Sequence, residues 1–189
     1  FPFRAIGPTR QSGRFVDVAV PLQQPNTIYM ATGSGGLWKS VNAGVSWEPI
    51  FDNQSVISLG DVTVAPSDPN VVWLGTGEHT ASRSTYWGDG VYKSTDAGKT
   101  WTNMGLKDSF HIGRIVVDPK NVNIVYVAAL GKLYAENAER GVFKTIDGGK
   151  TWTKSLDITI DGRAIGACDL VMDPLNPKVE PFVDEEAGP

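Results

Sequence analysis

The 189-residue chain carries 41% hydrophobic and 20% charged side chains with a net charge of −4, a balance that supports a packed core and excludes an extended disordered coil. No Lys/Arg cluster exceeds a few residues, which argues against nucleic acid as a partner, and no apolar run approaches the roughly 18 residues of a membrane span. Cys168 is the single cysteine, so an internal disulfide is excluded and the redox compartment stays open.

In chain order, two motifs alternate. Val20-Pro21-Leu22-Gln23-Gln24-Pro25-Asn26 leads into Thr27-Ile28-Tyr29; then Leu37-Trp38-Lys39 leads into Ser40-Val41-Asn42-Ala43-Gly44-Val45-Ser46-Trp47. The pattern returns about 50 residues later. Val64-Ala65-Pro66-Ser67-Asp68-Pro69-Asn70 precedes Val71-Val72-Trp73, and Val91-Tyr92-Lys93 precedes Ser94-Thr95-Asp96-Ala97-Gly98-Lys99-Thr100-Trp101. A third copy runs through Val117-Asp118-Pro119-Lys120-Asn121-Val122-Asn123 and Thr145-Ile146-Asp147-Gly148-Gly149-Lys150-Thr151-Trp152. A fourth begins at Met172-Asp173-Pro174. Val, Ile, Tyr and Trp runs bounded by Pro/Asn/Gly clusters predict four strands per repeat. At this period they predict an all-β fold, a partial β-propeller of four-stranded antiparallel blades. The expected blades span about 13–51, 57–104 and 112–156, with a partial fourth over 165–178. Glu180, Pro181, Asp184, Glu185 and Glu186 make a poor strand, so 179–189 is read as an irregular acidic tail.

The third-to-fourth turns predict hairpins in which Gly44, Gly98 or Gly149 takes a positive φ, Asn42, Asp96 or Asp147 accepts backbone N–H bonds, and Trp47, Trp101 or Trp152 packs over the hairpin. Ser40, Ser94 and Thr145 open the same strings. These residues are read as structural. Candidate binding residues lie at the opposite blade end, where the long loop Glu78 to Asp89 offers Glu78, His79, Arg83, Tyr86, Trp87 and Asp89. Aligned first strands add a column of Asp17, Asp61, Arg114 and Asp169. The column three residues earlier holds Arg14, Ser58, His111 and Gly166. Equivalent positions on adjacent blades become neighbours along the channel, so the first column predicts a charged ring, either paired internally or open to a ligand. Two histidines without a cysteine ladder give no zinc site, and no Asp-Gly pair starts an EF-hand, so no metal or cofactor is expected.

The Ser-x-Asp-x-Gly-x-Thr-Trp strings resemble the Asp-box, or bacterial neuraminidase repeat, of sialidases, xyloglucanases and sortilin-type receptors. Ile6-Gly7-Pro8, Gly35-Gly36-Leu37-Trp38-Lys39-Ser40, Gly75-Thr76-Gly77-Glu78, Gly88-Asp89-Gly90-Val91-Tyr92-Lys93-Ser94 and Glu139-Arg140-Gly141-Val142-Phe143-Lys144 bring the resemblance closest to the sortilin-like bacterial secreted propellers often labelled glycosyl hydrolases. The resemblance implies a secreted, periplasmic or cell-surface protein, further blades in a longer chain, and a recognition or scaffold module for a glycan or peptide. The alternative is part of a glycoside hydrolase, with Asp61, Glu78 and Asp169 as the available carboxylates. In the xyloglucanase pattern a catalytic Asp precedes the first Gly-Gly; here that place is Ser34. The Phe3-Arg4-Ala5-Ile6-Gly7-Pro8 string is a poor match to the sialidase string.

Overall fold

The alternation of apolar and polar residues between turn clusters forms strands in which successive side chains face opposite sides. In the computed structural model, which describes residues 14–80, 85–157, 159–173 and the backbone of 179–181, these strands build three four-stranded antiparallel sheets. The first contains β1 (Phe15–Ala19), β2 (Ile28–Thr32), β3 (Leu37–Ser40) and β4 (Glu48–Pro49). The second contains β5 (Leu59–Val64), β6 (Val72–Thr76), β7 (Val91–Ser94) and β8 (Thr102–Asn103). A 3₁₀ turn at Lys107–Ser109 leads to the third, β9 (Ile112–Val117), β10 (Val125–Ala129), β11 (Gly141–Thr145) and β12 (Thr153–Leu156). Within each sheet the strands lie in chain order. The outer strands β4 and β8 have only two residues each, which limits the open edge.

The hydrophobic core lies between the sheets. Strand β6 is buried along its whole length because its two faces meet different neighbours. Val72 and Leu74 join Tyr29, Leu37 and Phe51 of blade 1 in one cluster, while Trp73 joins Ile112, Val127 and Phe143 of blade 3 in another. Blade 3 repeats the arrangement: Val127 and Ala129 face blade 2, and Ala128 packs with Leu170 beyond it. First strands of adjacent blades approach closely. A Cβ on Gly60 would lie 2.0 Å from the Ile112 carbonyl oxygen, and one on Gly113 would lie 2.1 Å from that of Cys168. Glycine at this column admits the neighbouring backbone.

The outer seam is held by the third-to-fourth turns. Asp96 Oδ1 accepts from Ser94 Oγ and the Thr100 N–H at 2.7 and 2.8 Å, and its Oδ2 accepts from Thr100 Oγ1 at 2.6 Å. Asp147 repeats this set with Thr145 and Thr151. Asn42 keeps the Oδ1 bonds and instead donates its amide to Ser46 Oγ at 2.9 Å. Two consecutive residues in each turn have positive φ, Ala43-Gly44, Ala97-Gly98 and Gly148-Gly149; in the first two turns the leading residue is an alanine, which carries no such signal in the sequence. The Trp101 and Trp152 indoles donate to Ile50 O and Met104 O of the preceding blade, at 2.8 and 2.7 Å. The Trp47 indole donates to its own turn at Gly44 O.

Two features depart from the sequence reading. Val179–Pro181 (β16) pairs antiparallel with Leu170–Met172 (β15), where an irregular tail is expected. Pro181 stands at the end of an edge strand, where a missing N–H costs no ladder bond. Residues 174–178 and 182–189 lie outside the described residues. A small hairpin also forms from β13 (Thr159–Ile160) and β14 (Arg163–Ala164), turning on Asp161 and Gly162 at φ 52° and 78°. The Asp-Gly pair between extended residues is a hairpin signal.

The turn bonds hold the Asp96 carboxyl down at about 2, through Thr100 first and then Ser94. A depressed folded-state pKa contributes stability above the unfolded value near 4, and that contribution is lost as pH falls through about 2. Asp96→Ala is expected to lower stability at pH 7 by about 1 kcal/mol, allowing for solvent screening of a carboxylate partly open to water. Urea unfolding of wild type and variant at pH 7 and pH 2 checks this: the two should differ at pH 7 and converge toward pH 2.

Candidate functional site

Because the strands alternate in direction, each blade has two unlike ends. The turns between first and second strands share one end with the third-to-fourth hairpins, as the Ala97 N–H bond to Asn70 O shows. The second-to-third loops and the connections between blades share the other. There the Gly77 N–H donates to Ser58 O, and Ser58 Oγ donates to Tyr86 O at 2.8 Å while accepting from the Glu78 N–H at 3.0 Å.

At this second end a groove of about 490 Å³ runs between Ser55–Ser58 and Thr85–Trp87. Tyr86 is 55% and Trp87 70% exposed. Trp87 meets Phe110 edge to face at 6.2 Å, and Lys132 Nζ sits 4.8 Å from the Phe110 ring centre. Phe110 has φ 58° and ψ −44° in a turn closed by the His111 N–H to Ser109 O bond at 2.6 Å, a sparsely populated conformation that costs of order 1–3 kcal/mol. Its carbonyl accepts from the Gly88 N–H at 2.7 Å, which ties the turn to the long loop. Asp89 is bonded to the groove wall: its Oδ2 accepts from Ser55 Oγ and Tyr92 OH at 2.6 and 2.9 Å, while its buried Oδ1 has no protein partner among the described residues.

Glu78 is fully buried. Its carboxylate takes a forked salt bridge from Arg14, with Arg14 Nε to Oε1 at 2.6 Å, and this hydrogen bond holds the guanidinium firmly protonated. A Cβ on Gly33 would lie 2.8 Å from the Glu78 carboxyl, so blade 1 leaves room for the acid. His111 is buried, and that burial lowers its pKa against the opposing effect of Glu78. Its Nδ1 has no protein partner among the described residues. His79 Nδ1 lies 3.1 Å from Gly60 O.

The charged column closes on itself. Arg114 reaches Asp169 at 2.8 Å, Asp61 at 3.1 Å and Asp17 at 3.9 Å. The carboxylates also tie blade to blade, for Asp17 Oδ2 accepts the Val62 N–H at 3.1 Å and Asp61 Oδ2 accepts the Ile115 N–H at 3.0 Å. Arg114 cannot accept, so at the next seam Asp169 Oδ1 takes the Leu170 N–H as well as Arg114. Asp61 is 1% exposed, and burial, then repulsion from Asp17, pushes it up to about 7. Asp169 feels burial too, but the Arg114 hydrogen bond brings it below the usual carboxylate range.

Thus Asp17, Asp61, Arg114 and Asp169 are brought together, and so are Glu78 and His111. Tyr86 and Trp87 line the groove, and Asp89 bonds Ser55 of its wall. Arg83 lies outside the described residues. Asp61, Glu78 and Asp169 each accept from a guanidinium. Arg14 is the partner that sequence reasoning placed in a column without assigning it a bond, and Phe110 carried no signal beyond its aromatic type. Among the described residues no group of three or more His, Cys, Asp or Glu side chains is set to hold a metal ion, and no helix is long and apolar enough to cross a membrane.

Comparison with known proteins agrees with these sheets. No protein-family model matches the chain. An ancestral GH74 enzyme superposes with a TM-score of 0.65 over 85% of this chain and 20% of its own, at 24% identity. YCF48 from Cyanidioschyzon merolae superposes at 0.55 over 82% of this chain and 41% of its own, at 18% identity. The fold is that of β-propeller blades. In sequence, the chain is 32% identical over 151 residues to a xyloglucanase of Hypocrea jecorina (strain QM6a), covering 72% of this chain. It is 28% identical over 153 residues to a probable oligoxyloglucan-reducing end-specific xyloglucanase of Neosartorya fischeri, covering 71% of this chain. The chain spans 17% of the length of either relative.

The ring predicts a titration. A folded Asp61 that keeps its proton to about pH 7, against about 4 when unfolded, binds more protons folded than unfolded between those values. Its contribution to stability therefore falls as pH rises across that window. Carboxyl ¹³C NMR should find Asp61 titrating near neutrality in wild type and lower in Asp17→Asn, which removes the repelling charge while keeping an oxygen for the Val62 N–H.

Proposed function

We propose that the chain is part of a glycoside-hydrolase-like β-propeller acting on a β-glucan of the xyloglucan class, and that these blades supply a glycan-holding wall. The carrying observation is the exposed Tyr86–Trp87 groove, at the blade end where Asp61, Glu78 and Asp169 are each paired with a guanidinium. Aromatic faces with hydroxyls between them suit the apolar faces and hydroxyl edges of sugar rings. The xyloglucanase relatives support the substrate class. A glycosidase needs an acid and a base on either side of one bond, and Asp61, Glu78 and Asp169 are committed to Arg114 or Arg14. With Ser34 at the position of the xyloglucanase Asp, this reading assigns the reacting pair to other blades.

On this reading the three hairpins are Asp-boxes with a structural role, supported by carboxylates turned into their own turns. A sortilin-like kinship and a secreted or cell-surface setting belong to the same proposal. Exposed Phe15, Val18, Leu22, Val41 and Val45 on blade 1 favour a further blade as its neighbour. The scaffold alternative draws support from the closed ion pairs of the ring.

Calorimetry with xyloglucan oligosaccharides tests the proposal. The chain is expected to bind them without cleaving them, and Trp87→Ala is expected to weaken binding at least tenfold with an unchanged melting temperature. Equal affinity in Trp87→Ala overturns the groove assignment. Turnover lost in Asp61→Asn, Glu78→Gln or Asp169→Asn overturns the division of labour.

A further inference from the structure

The blades also meet at the hairpin end, where two matched seams differ. Between blades 1 and 2 a groove of about 190 Å³ holds Lys39, Glu48 and Lys99. Between blades 2 and 3 the corresponding groove opens to about 480 Å³ and holds Lys93, Thr95, Thr102, Asn123, Asp147 and Lys150. That volume is within the roughly 300–1,000 Å³ of small-molecule sites.

Each groove is lined by two lysines and one carboxylate, and register decides where the carboxylate stands. Lys39 stands opposite Glu48 across β3 and β4, whereas Lys93 stands opposite Thr102 across β7 and β8. Cross-strand neighbours on one face interact directly, so the first lysine has a carboxylate beside it and the second a hydroxyl. Lys93 is fixed by its bond to Gly148 O at 3.1 Å and by the Trp73 ring 4.9 Å away. Burial, and then the charge of Lys150, lowers its pKa, with no acid offsetting them; for Lys39, Asp96 and Glu48 oppose the corresponding effect of burial and Lys99. Asp147 is the acid of the larger groove, and both its oxygens are bonded within its own turn. Two ammonium groups stand against one carboxylate in both grooves, and in the larger one that carboxylate is tied into its own turn and not beside the central lysine. Among the described residues no salt bridge reaches the lysines of either groove, and in the larger one the Thr95 and Thr102 hydroxyls have no protein partner.

We propose that the groove between blades 2 and 3 binds an oxyanion group, carboxylate or sulfate ester, of an acidic saccharide, held between Lys93 and Lys150 with the Thr102 hydroxyl as a donor. Ammonium groups and hydroxyls supply charge-assisted and neutral donors to such oxygens. The groove lies at the opposite blade end from the Tyr86–Trp87 groove and does not depend on it.

The test is titration calorimetry of the 189-residue chain at low ionic strength with trigalacturonate, a sulfated trisaccharide, a neutral trisaccharide and inorganic sulfate. One-site binding of at least one acidic trisaccharide is expected, weakening with salt; which one binds identifies the oxyanion. The neutral sugar should not bind here, and the Trp87→Ala variant serves to remove any contribution of the other groove. Thr102→Glu, which copies the Lys39–Glu48 pair, and Lys150→Gln should each weaken binding at least tenfold. Lys99→Gln, in the smaller groove, should leave it unchanged, and thermal melts verify that each variant folds. No saturable binding of either acidic trisaccharide, full affinity in Thr102→Glu, or an equal loss in Lys99→Gln would overturn the proposal.

Discussion

The structure depends on the seam between blades. One sheet cannot bury both of its faces, and each middle strand resolves this by sending alternate side chains to different neighbours. Leu74 belongs to the core shared with blade 1, and Trp73, the next residue back, to the core shared with blade 3. Deleting a side chain as large as Trp73 from such a seam costs about 3–5 kcal/mol in typical cores. Neighbouring blades are therefore parts of one another's cores, as in other repeat architectures.

Polar groups fix the same seams at both ends. At the channel, glycine lets first strands touch, and a carboxylate on one blade accepts an N–H from the next. At the rim, a tryptophan indole on one blade donates to a carbonyl of the one before. Arg114 interrupts the channel pattern. It replaces an acceptor with a cation, so an ion pair with Asp169 stands in for the direct bond of carboxylate to backbone. The charged column thus joins the first strands of neighbouring blades through ion pairs and carboxylate–backbone bonds.

At the same loop end Tyr86 and Trp87 stay exposed along a groove. A rigid scaffold below and loops above is a common way to build a binding surface. The turn at Phe110 fits this picture, because its strained backbone holds a ring against Trp87 and under Lys132. The pairing of Arg14 with Glu78 gives the buried acid of the same loop a counter-charge.

The sequence by itself determined what rests on local bonds. The repeat period, the four strands and the hairpins at Asp96 and Asp147 follow from turn residues and apolar runs whose partners lie within about four positions, so each repeat carries its own signal. The charged column was visible too, since aligning repeats places equivalent residues side by side. The hairpin at Asp161-Gly162 and the strand at Val179–Pro181 were not read from the sequence, because so short a strand surrounded by acidic residues and proline carries little pattern of its own. Only the tertiary structure decided which charges are neutralised and which faces stay open. Arg14 and Glu78 are 64 positions apart, and Asp61 is buried only because a neighbouring blade covers it. Desolvation and ion pairing across a seam depend on distance in space, and a chain read one residue at a time holds no record of that distance.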